Sequence, residues 1–172
     1  MKKTWKYVVV LNCIMMFSFV GCREKLMSTD DLIAKVRKEI TVANADTIEV
    51  QLAAKHIEGD KALMWFITGN EYQMHGYFPV IFDVVGEEEY VFVQRHNALE
   101  RGQDIFVYNW GEGYSFLVNN PKCKTIQITG NIGGLGAVTE IIIEDEEYPF
   151  HYYYELLPQE YIFLDAEGNE IR

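Results

Sequence analysis

Ten short runs of β-branched and aromatic residues constrain the fold of this chain more than any other feature. They begin near residue 47, recur about every ten residues, and are separated by turns rich in Gly, Asn, Asp and Glu. In TIQIT, residues 125–129, two isoleucines alternate with three polar residues, which is typical of a strand with one buried and one solvated face. Many short strands at this spacing are typical of a sandwich or a barrel. We therefore expect a mainly β fold, an antiparallel β-sandwich, with candidate strands TIEVQLAAKHI, ALMWFITG, YFPVIFDVV, YVFVQRH, DIFVYN, YSFLVN, TIQIT, TEIIIED, FHYYYEL and EYIFLD.

The segment STDDLIAKVRKEI precedes these runs and has the pattern of a single amphipathic helix. Ser28 or Thr29 is a suitable N-cap, acidic residues follow in the first turn, and basic residues lie towards the other end, as the helix dipole favours. The sequence therefore predicts a helix over residues 29–40. Its apolar residues recur at helical spacing and are expected to pack on the β domain: Leu32, Val36 and Ile40.

The second half of the chain, from about Asp104, resembles the immunoglobulin-like modules of exported bacterial proteins in its strand spacing and in its closing LDAEGNE. The resemblance implies two packed antiparallel sheets, although no tryptophan–disulfide signature accompanies it. Residues 47–95 form either the rest of one large sandwich or a separate small sheet. The length favours a single domain over residues 28–172. Its last segment, FLDAEGNEI, predicts a hairpin in which Gly168 has a positive φ.

The first residues of the chain have the composition of an export signal. Lys2, Lys3 and Lys6 give a basic start, and residues 7–20 are nearly all apolar. This apolar run is shorter than the ~20 residues that a membrane-spanning helix needs. A basic start, then ~7–15 apolar residues, then small residues is the order of a secretory signal.

The sequence FVGC, at residues 19–22, resembles the bacterial lipobox, in which a small residue precedes a cysteine, although Phe stands where Leu is usual. The resemblance implies cleavage after Gly21 and a diacylglycerol group on the thiol of Cys22. Residues 1–21 are then a lipoprotein signal peptide and residues 22–27 a short spacer. We expect a lipid anchor on the extracytoplasmic face of the cell membrane, held firmly by two acyl chains. The alternatives, an uncleaved anchor helix or an ordinary signal with a chance cysteine, also place the domain outside the cytoplasm.

Charge and cysteine content narrow the possible partners. Without the three lysines of residues 1–21, the chain carries 12 basic and 26 acidic residues, a formal charge of −14. Such a domain repels phosphate backbones, so we expect no nucleic-acid partner. With Cys13 in the signal and Cys22 acylated, only Cys123 is left, which excludes an internal disulfide. We interpret Cys123 as a structural residue rather than a nucleophile.

No motif points to catalysis, a cofactor or a metal. The glycine-rich GNIGGLG lacks the Gly-Lys-Ser/Thr of a phosphate loop and precedes a strand pattern. The acidic runs at residues 87–89 and 144–147 lack the spacing of a calcium loop. Ser115, in GYSFL, lacks the second glycine of a Gly-x-Ser-x-Gly turn. The four histidines have no spacing typical of zinc ligands: His56, His75, His96 and His151.

Aromatic residues, at 14% of the chain, are the most suggestive feature for function. Trp110 lies in the turn NWGEGY and Tyr114 follows it, while FHYYYEL places Tyr153 and His151 on the strand face opposite to its other aromatic residues. Exposed Trp and Tyr rings anchor protein partners through rigid amphipathic area. Trp110, Tyr114 and Tyr153 are therefore candidate ligand-binding residues. Alternatively, Trp110 folds over its own hairpin and stabilises it.

These observations predict a membrane-anchored lipoprotein with a non-catalytic binding role at the cell envelope. Its ligand is expected to be a protein, a peptide or a glycan. The alternatives are a hydrolase that acts on envelope glycans or peptides, and an immunity or structural factor of the envelope.

Overall fold

A computed structural model describes residues 24–40, 47–69, 75–132, 135–144 and 148–172 of the chain. In that part of the chain, no helix is both long enough and apolar enough to cross a bilayer. The described residues form, in chain order, one helix and twelve strands: β1 (Lys25–Leu26), α1 (Thr29–Glu39), β2 (Val50–Glu58), β3 (Lys61–Thr68), β4 (Gly76–Gly86), β5 (Glu89–Arg95), β6 (Leu99–Gly102), β7 (Ile105–Trp110), β8 (Gly113–Val118), β9 (Thr125–Ile132), β10 (Leu135–Ile142), β11 (Phe150–Tyr154) and β12 (Glu160–Leu164).

The strands form three antiparallel sheets. The first sheet has the order β1-β5-β4-β3-β2, the second sheet β11-β8-β7-β6, and the third sheet β10-β9-β12. The predicted fold, a mainly β antiparallel sandwich with one N-terminal helix, is confirmed for the described residues. All ten predicted strands overlap observed ones, and the two strands that were not predicted, β1 and β6, are only two and four residues long.

β3 shows how the helix and the sheets stack, because both faces of this strand are buried. Met64 and Phe66 belong to the core under α1. Trp65 and Ile67, on the opposite face, pack with Leu117 of the second sheet. A strand that is covered on both sides is a near-continuous apolar run, and KALMWFIT has this pattern.

The second sheet is likewise covered on both faces. Leu117 on β8 faces the first sheet, whereas its neighbours Phe116 and Val118 pack with Ile126 and Ile128 of the third sheet. Ile126 and Ile128 are fully buried, as the alternation in TIQIT predicted. The layers therefore follow the order helix, first sheet, second sheet, third sheet.

α1 begins where the sequence predicted. The Ser28 hydroxyl accepts a hydrogen bond from the backbone N–H of Asp31, and the Asp31 carboxylate accepts one from the N–H of Ser28. This reciprocal capping box satisfies two of the free donors at the start of the helix. The predicted apolar face of Leu32, Val36 and Ile40 is buried against the first sheet.

From Asp104 onwards the connectivity follows the immunoglobulin order. β7 and β8 are neighbours in the second sheet, the chain then crosses to β9 and β10 in the third sheet, returns to β11 beside β8, and crosses again to β12 beside β9. Immunoglobulin domains likewise place their second and third strands in different sheets and pair the second strand with the fifth. The resemblance that begins near Asp104 therefore extends from the packing of two sheets to their connectivity. The closing hairpin is as predicted, since Gly168 has φ 81° and Leu164 pairs with Glu170.

Candidate functional site

Four rings meet where β2, at one edge of the first sheet, lies beside β11, at one edge of the second. They are His56 on β2, Trp110 at the end of β7, and His151 and Tyr153 on β11, and we call them the histidine–aromatic cluster. The His56 ring centroid lies 4.1 Å from that of Tyr153 and 5.6 Å from that of Trp110. All four side chains are half-buried, so the cluster is partly open to solvent.

A bulge in β2 directs His56 towards the second sheet. The register of β2 against β3 shifts between Leu52 and Ala54, which leaves Ala53 as an extra residue. Leu52, before the shift, packs in the core under α1. If Ala53 were paired regularly instead of being the extra residue, strict alternation would give His56 the same face as Leu52. The bulge therefore places an imidazole in the interface between two sheets.

Glycines allow the β7–β8 turn to approach β11 closely. Gly111 adopts φ 58°, a conformation that residues with a Cβ rarely take. A Cβ at Gly113 would collide with the backbone carbonyl oxygen of Tyr154. The close approach sets Trp110 beside Tyr153, whose hydroxyl donates to the Trp110 carbonyl oxygen at 3.0 Å.

A buried chain of hydrogen bonds holds His151. The indole N–H of Trp65 donates to Ser115 Oγ at 2.8 Å, and Ser115 Oγ lies 2.9 Å from His151 Nε2. The tautomer of His151 decides which of these two atoms donates, because a serine hydroxyl can both donate and accept. Burial, and secondarily the nearby His56, lower the pKa of His151 to about 4. The ring is therefore neutral at pH 7.

Ser115 Oγ and His151 Nε2 are as close as a catalytic nucleophile and its general base, but a substrate cannot reach the serine. Ser115 is fully buried on β8, and its oxygen already accepts a hydrogen bond from the indole N–H of Trp65. A catalytic serine must be within reach of a substrate carbonyl and of oxyanion donors. Trp65 belongs to the first sheet, while Ser115 and His151 belong to the second. The arrangement therefore acts as a polar link between the two sheets.

Carboxylates act on the Tyr153 end of the histidine–aromatic cluster. Glu58 Oε2 lies 3.4 Å from the Tyr153 hydroxyl oxygen. Burial, followed by the negative charges of Glu58, Glu155 and Glu112, raises the pKa of Tyr153. The cluster thus presents aromatic faces in a region of negative potential, which favours neutral or cationic groups over anionic ones.

The structure brings together two of the three predicted binding residues. Trp110 and Tyr153 both belong to the cluster, with ring centroids 5.7 Å apart. Tyr114 lies on the other face of β8, towards the third sheet, where it packs with Phe116 and Tyr161. Tyr114 therefore does not contribute to the same surface as Trp110 and Tyr153.

The cysteine predictions fall partly within the described residues. Cys123 is fully buried, and its Sγ lies 3.7 Å from the Thr125 carbonyl oxygen. Burial raises the pKa of the Cys123 thiol to about 11, although the charge of Lys124 acts in the opposite direction. The thiol is therefore protonated near neutral pH. The predicted lipidation and cleavage positions, Cys22 and Gly21, lie outside the described residues.

A second polar cluster between the first and second sheets was not predicted. The Tyr77 hydroxyl donates to Asp104 Oδ1 at 2.7 Å and accepts from Asn119 Nδ2 at 3.0 Å. Its ring stacks on Phe106 at 4.1 Å, and burial raises the pKa of Tyr77. These residues lie on separate strands and turns, so no local pattern in the sequence indicates that they meet.

The other candidate ligands do not converge. Among the residues that the structure describes, no group of three or more His, Cys, Asp or Glu side chains is placed to hold a metal ion. Glu87 and Glu88 form an exposed turn, and most of the acidic run at residues 144–147 lies outside the described ranges.

Fold and site together define the class of this protein. It is a mainly β protein in which one helix covers a stack of three antiparallel sheets, with a half-exposed histidine–aromatic cluster at one edge. In comparisons with protein-family models, with curated proteins and with solved structures, no match to the chain was found.

Proposed function

We propose that this protein is a lipoprotein, anchored through Cys22 on the extracytoplasmic face of the cell membrane, that binds an envelope protein, peptide or glycan without catalysis. The lipobox-like sequence at residues 19–22 supports the anchor. The position of β1 is compatible with it, because this strand begins at Lys25, three residues after Cys22, and pairs with β5. On this proposal the folded domain begins almost at the bilayer surface.

The sheet order supports a binding surface that is remote from the anchor. β1 and β2 occupy opposite edges of the first sheet, with three strands between them. At a strand spacing of ~4.8 Å, four spacings separate these edges by about 19 Å. His56, on β2, therefore lies at the edge farthest from the proposed lipid.

The observation that carries the binding proposal is the pairing of Trp110 with Tyr153. Their rings are half-exposed, lie 5.7 Å apart and have their positions fixed by a hydrogen bond from the Tyr153 hydroxyl to the Trp110 backbone. Rigid Trp and Tyr rings bury a large area at low entropic cost, which is why they dominate binding surfaces. The carboxylate of Glu58, beside Tyr153, adds a preference for neutral or cationic groups.

One observation favours the competing hydrolase hypothesis: Ser115 Oγ lies 2.9 Å from His151 Nε2. The complete burial of Ser115 argues against it. An immunity or structural factor would differ from a general glycan binder by holding one tight protein partner. The same binding experiment distinguishes these alternatives.

The test uses the full-length protein, solubilised from membranes in detergent and immobilised. Wall-polymer and membrane-protein fractions of the source envelope are passed over the wild type, over the double variant Trp110→Ala/Tyr153→Ala, and over Val138→Ala. Val138 is 57% exposed on the third sheet and serves as the control. We expect material that the wild type and the control retain and the double variant does not.

Equal retention by all three proteins would exclude the cluster as the binding surface. Hydrolysis of a retained glycan or peptide that Ser115→Ala abolishes would instead support the hydrolase. Retention of a single protein in stoichiometric amount would favour an immunity or structural factor.

A further inference from the structure

A pocket of ≈280 Å³ lies beside β12, at the edge of the third sheet, and none of its lining residues belongs to the histidine–aromatic cluster. Arg101 on β6 and Tyr161 on β12 line it, together with Ile162 and Ile171. The volume is close to the lower end of the range for small-molecule sites. It therefore suits the end of a chain molecule rather than a whole cofactor.

Arg101 is held in a fixed position at this pocket. Its Nε donates to the Tyr161 hydroxyl at 2.9 Å, and the centre of its guanidinium lies 5.4 Å from the centroid of the Tyr161 ring. Within the described part of the chain, its two terminal Nη groups have no hydrogen-bond partner. A stacked guanidinium with free Nη groups is pre-organised to bind a carboxylate in a bidentate manner.

β12 is an edge strand, and within the described residues no strand pairs with Tyr161 on the side away from β9. Ile171 N–H donates to the Phe163 carbonyl oxygen at 2.8 Å, on the side of β12 away from β9. Because backbone groups alternate along a strand, Tyr161 directs its own N–H and carbonyl oxygen to this same outer side. The contacts of residues 170 and 171 reach Phe163 and Leu164, so Tyr161 lies just beyond them.

We propose that this pocket binds the carboxylate end of an extended peptide. The peptide pairs with the backbone of Tyr161 and extends the third sheet by strand addition, and its terminal carboxylate accepts hydrogen bonds from the Nη groups of Arg101. Ile162 and Ile171 offer an apolar wall to its last side chain.

The acidic residues of the pocket restrict the ligand further. Glu160 and Glu170 also line it, and Glu170 is paired with Arg172 at 3.0 Å. Their charges act against every carboxylate, so the terminal carboxylate is held only by its direct contact with Arg101, and a second carboxylate or a polyanion without such a contact is repelled. The pocket is therefore selective for a peptide that has a neutral or basic residue before its terminal carboxylate.

The test is calorimetric titration of the full-length protein with two synthetic peptides, acetyl-Lys-Val-Thr-Val as the free acid and as the C-terminal amide. We expect the free acid to bind about tenfold more tightly than the amide, since a charge-assisted hydrogen bond to arginine is lost. Arg101→Ala should weaken the free acid by a similar factor and leave the amide unchanged. Arg95→Ala is the matched control, because the Arg95 guanidinium lies 5.0 Å from the Phe78 ring on the first sheet, away from the pocket.

Equal affinity for acid and amide in the wild type, or no binding of either at millimolar concentration, would overturn the proposal without reliance on any variant. The titration depends neither on the lipid anchor nor on Trp110. Its failure therefore leaves the proposed binding role of the histidine–aromatic cluster untouched.

Discussion

The indole N–H of Trp65 donates to Ser115 Oγ at 2.8 Å, and this buried hydrogen bond joins the first sheet to the second. The two residues are 50 positions apart in the sequence. Because both side chains are fully buried, the indole N–H cannot turn to solvent for another acceptor. The bond therefore specifies how the two sheets are positioned on each other.

Replacement of Ser115 by Ala should destabilise the protein by about 1–3 kcal/mol, because the indole N–H of Trp65 is left buried without an acceptor. Urea unfolding measures the change. The double variant Trp65→Phe/Ser115→Ala should show a smaller loss than the sum of the two single variants, since Phe has no donor to satisfy. Additive losses would mean that the hydrogen bond does not couple the sheets.

Stability should fall as the pH decreases from about 6.5 to about 4. The pKa of folded His151 is lowered to about 4, so in this window the unfolded chain, with an ordinary pKa of ~6.5, binds a proton that the folded chain does not. The expected loss is about 3 kcal/mol in total, measured as the free energy of unfolding across this pH range.

His151→Gln should remove most of that pH dependence. Burial also lowers the pKa of His96. His96→Gln is therefore the control variant, and it should reduce the pH dependence of the unfolding free energy by a smaller amount than His151→Gln does. An unchanged pH profile in His151→Gln would show that another group is responsible.

Deletion of Ala53 should leave His56 on the face towards the second sheet. Ala54 then follows Leu52 in regular alternation and keeps Trp65 as its partner, and His56 keeps Leu63. Urea unfolding of the deletion variant should therefore show a loss similar to that of Ala53→Gly. A loss larger by several kcal/mol would show that the register of β2 moves when the bulge is removed.

The strands and the helix could be predicted because their signals are local. Alternation in TIQIT and helical spacing from Leu32 to Ile40 depend only on residues a few positions apart, and the structure confirms both. β1 and β6 were missed because strands of two and four residues are too short to show a period. The bulge at Ala53 was missed because nothing in TIEVQLAAKHI distinguishes it from regular alternation.

The candidate site was only partly predictable for a different reason. Trp110 and Tyr153 could be selected from their turn and strand positions, but their contact depends on which strands become neighbours. The sequence offers His56 only as a possible zinc ligand and Ser115 only as a possible catalytic serine, and the residues around them complete neither motif. Their roles come from pairing between distant strands, which the sequence of a single chain does not display.

Cys123 should not react with iodoacetamide at pH 8 in the native protein. Burial raises its pKa to about 11, so only about one molecule in a thousand carries the thiolate, and the side chain is fully buried. Peptide-resolved mass spectrometry after labelling, with and without urea, measures the modification. Rapid labelling of Cys123 without urea would contradict the burial of this residue.

The measurement that tests the central proposal most directly is the mass of the N-terminal peptide of the protein isolated from membranes of its source. The proposed anchor predicts a chain that begins at Cys22, with a diacylglycerol group on the sulfur and residues 1–21 removed. A free thiol at Cys22 in a chain that still carries residues 1–21 would contradict it.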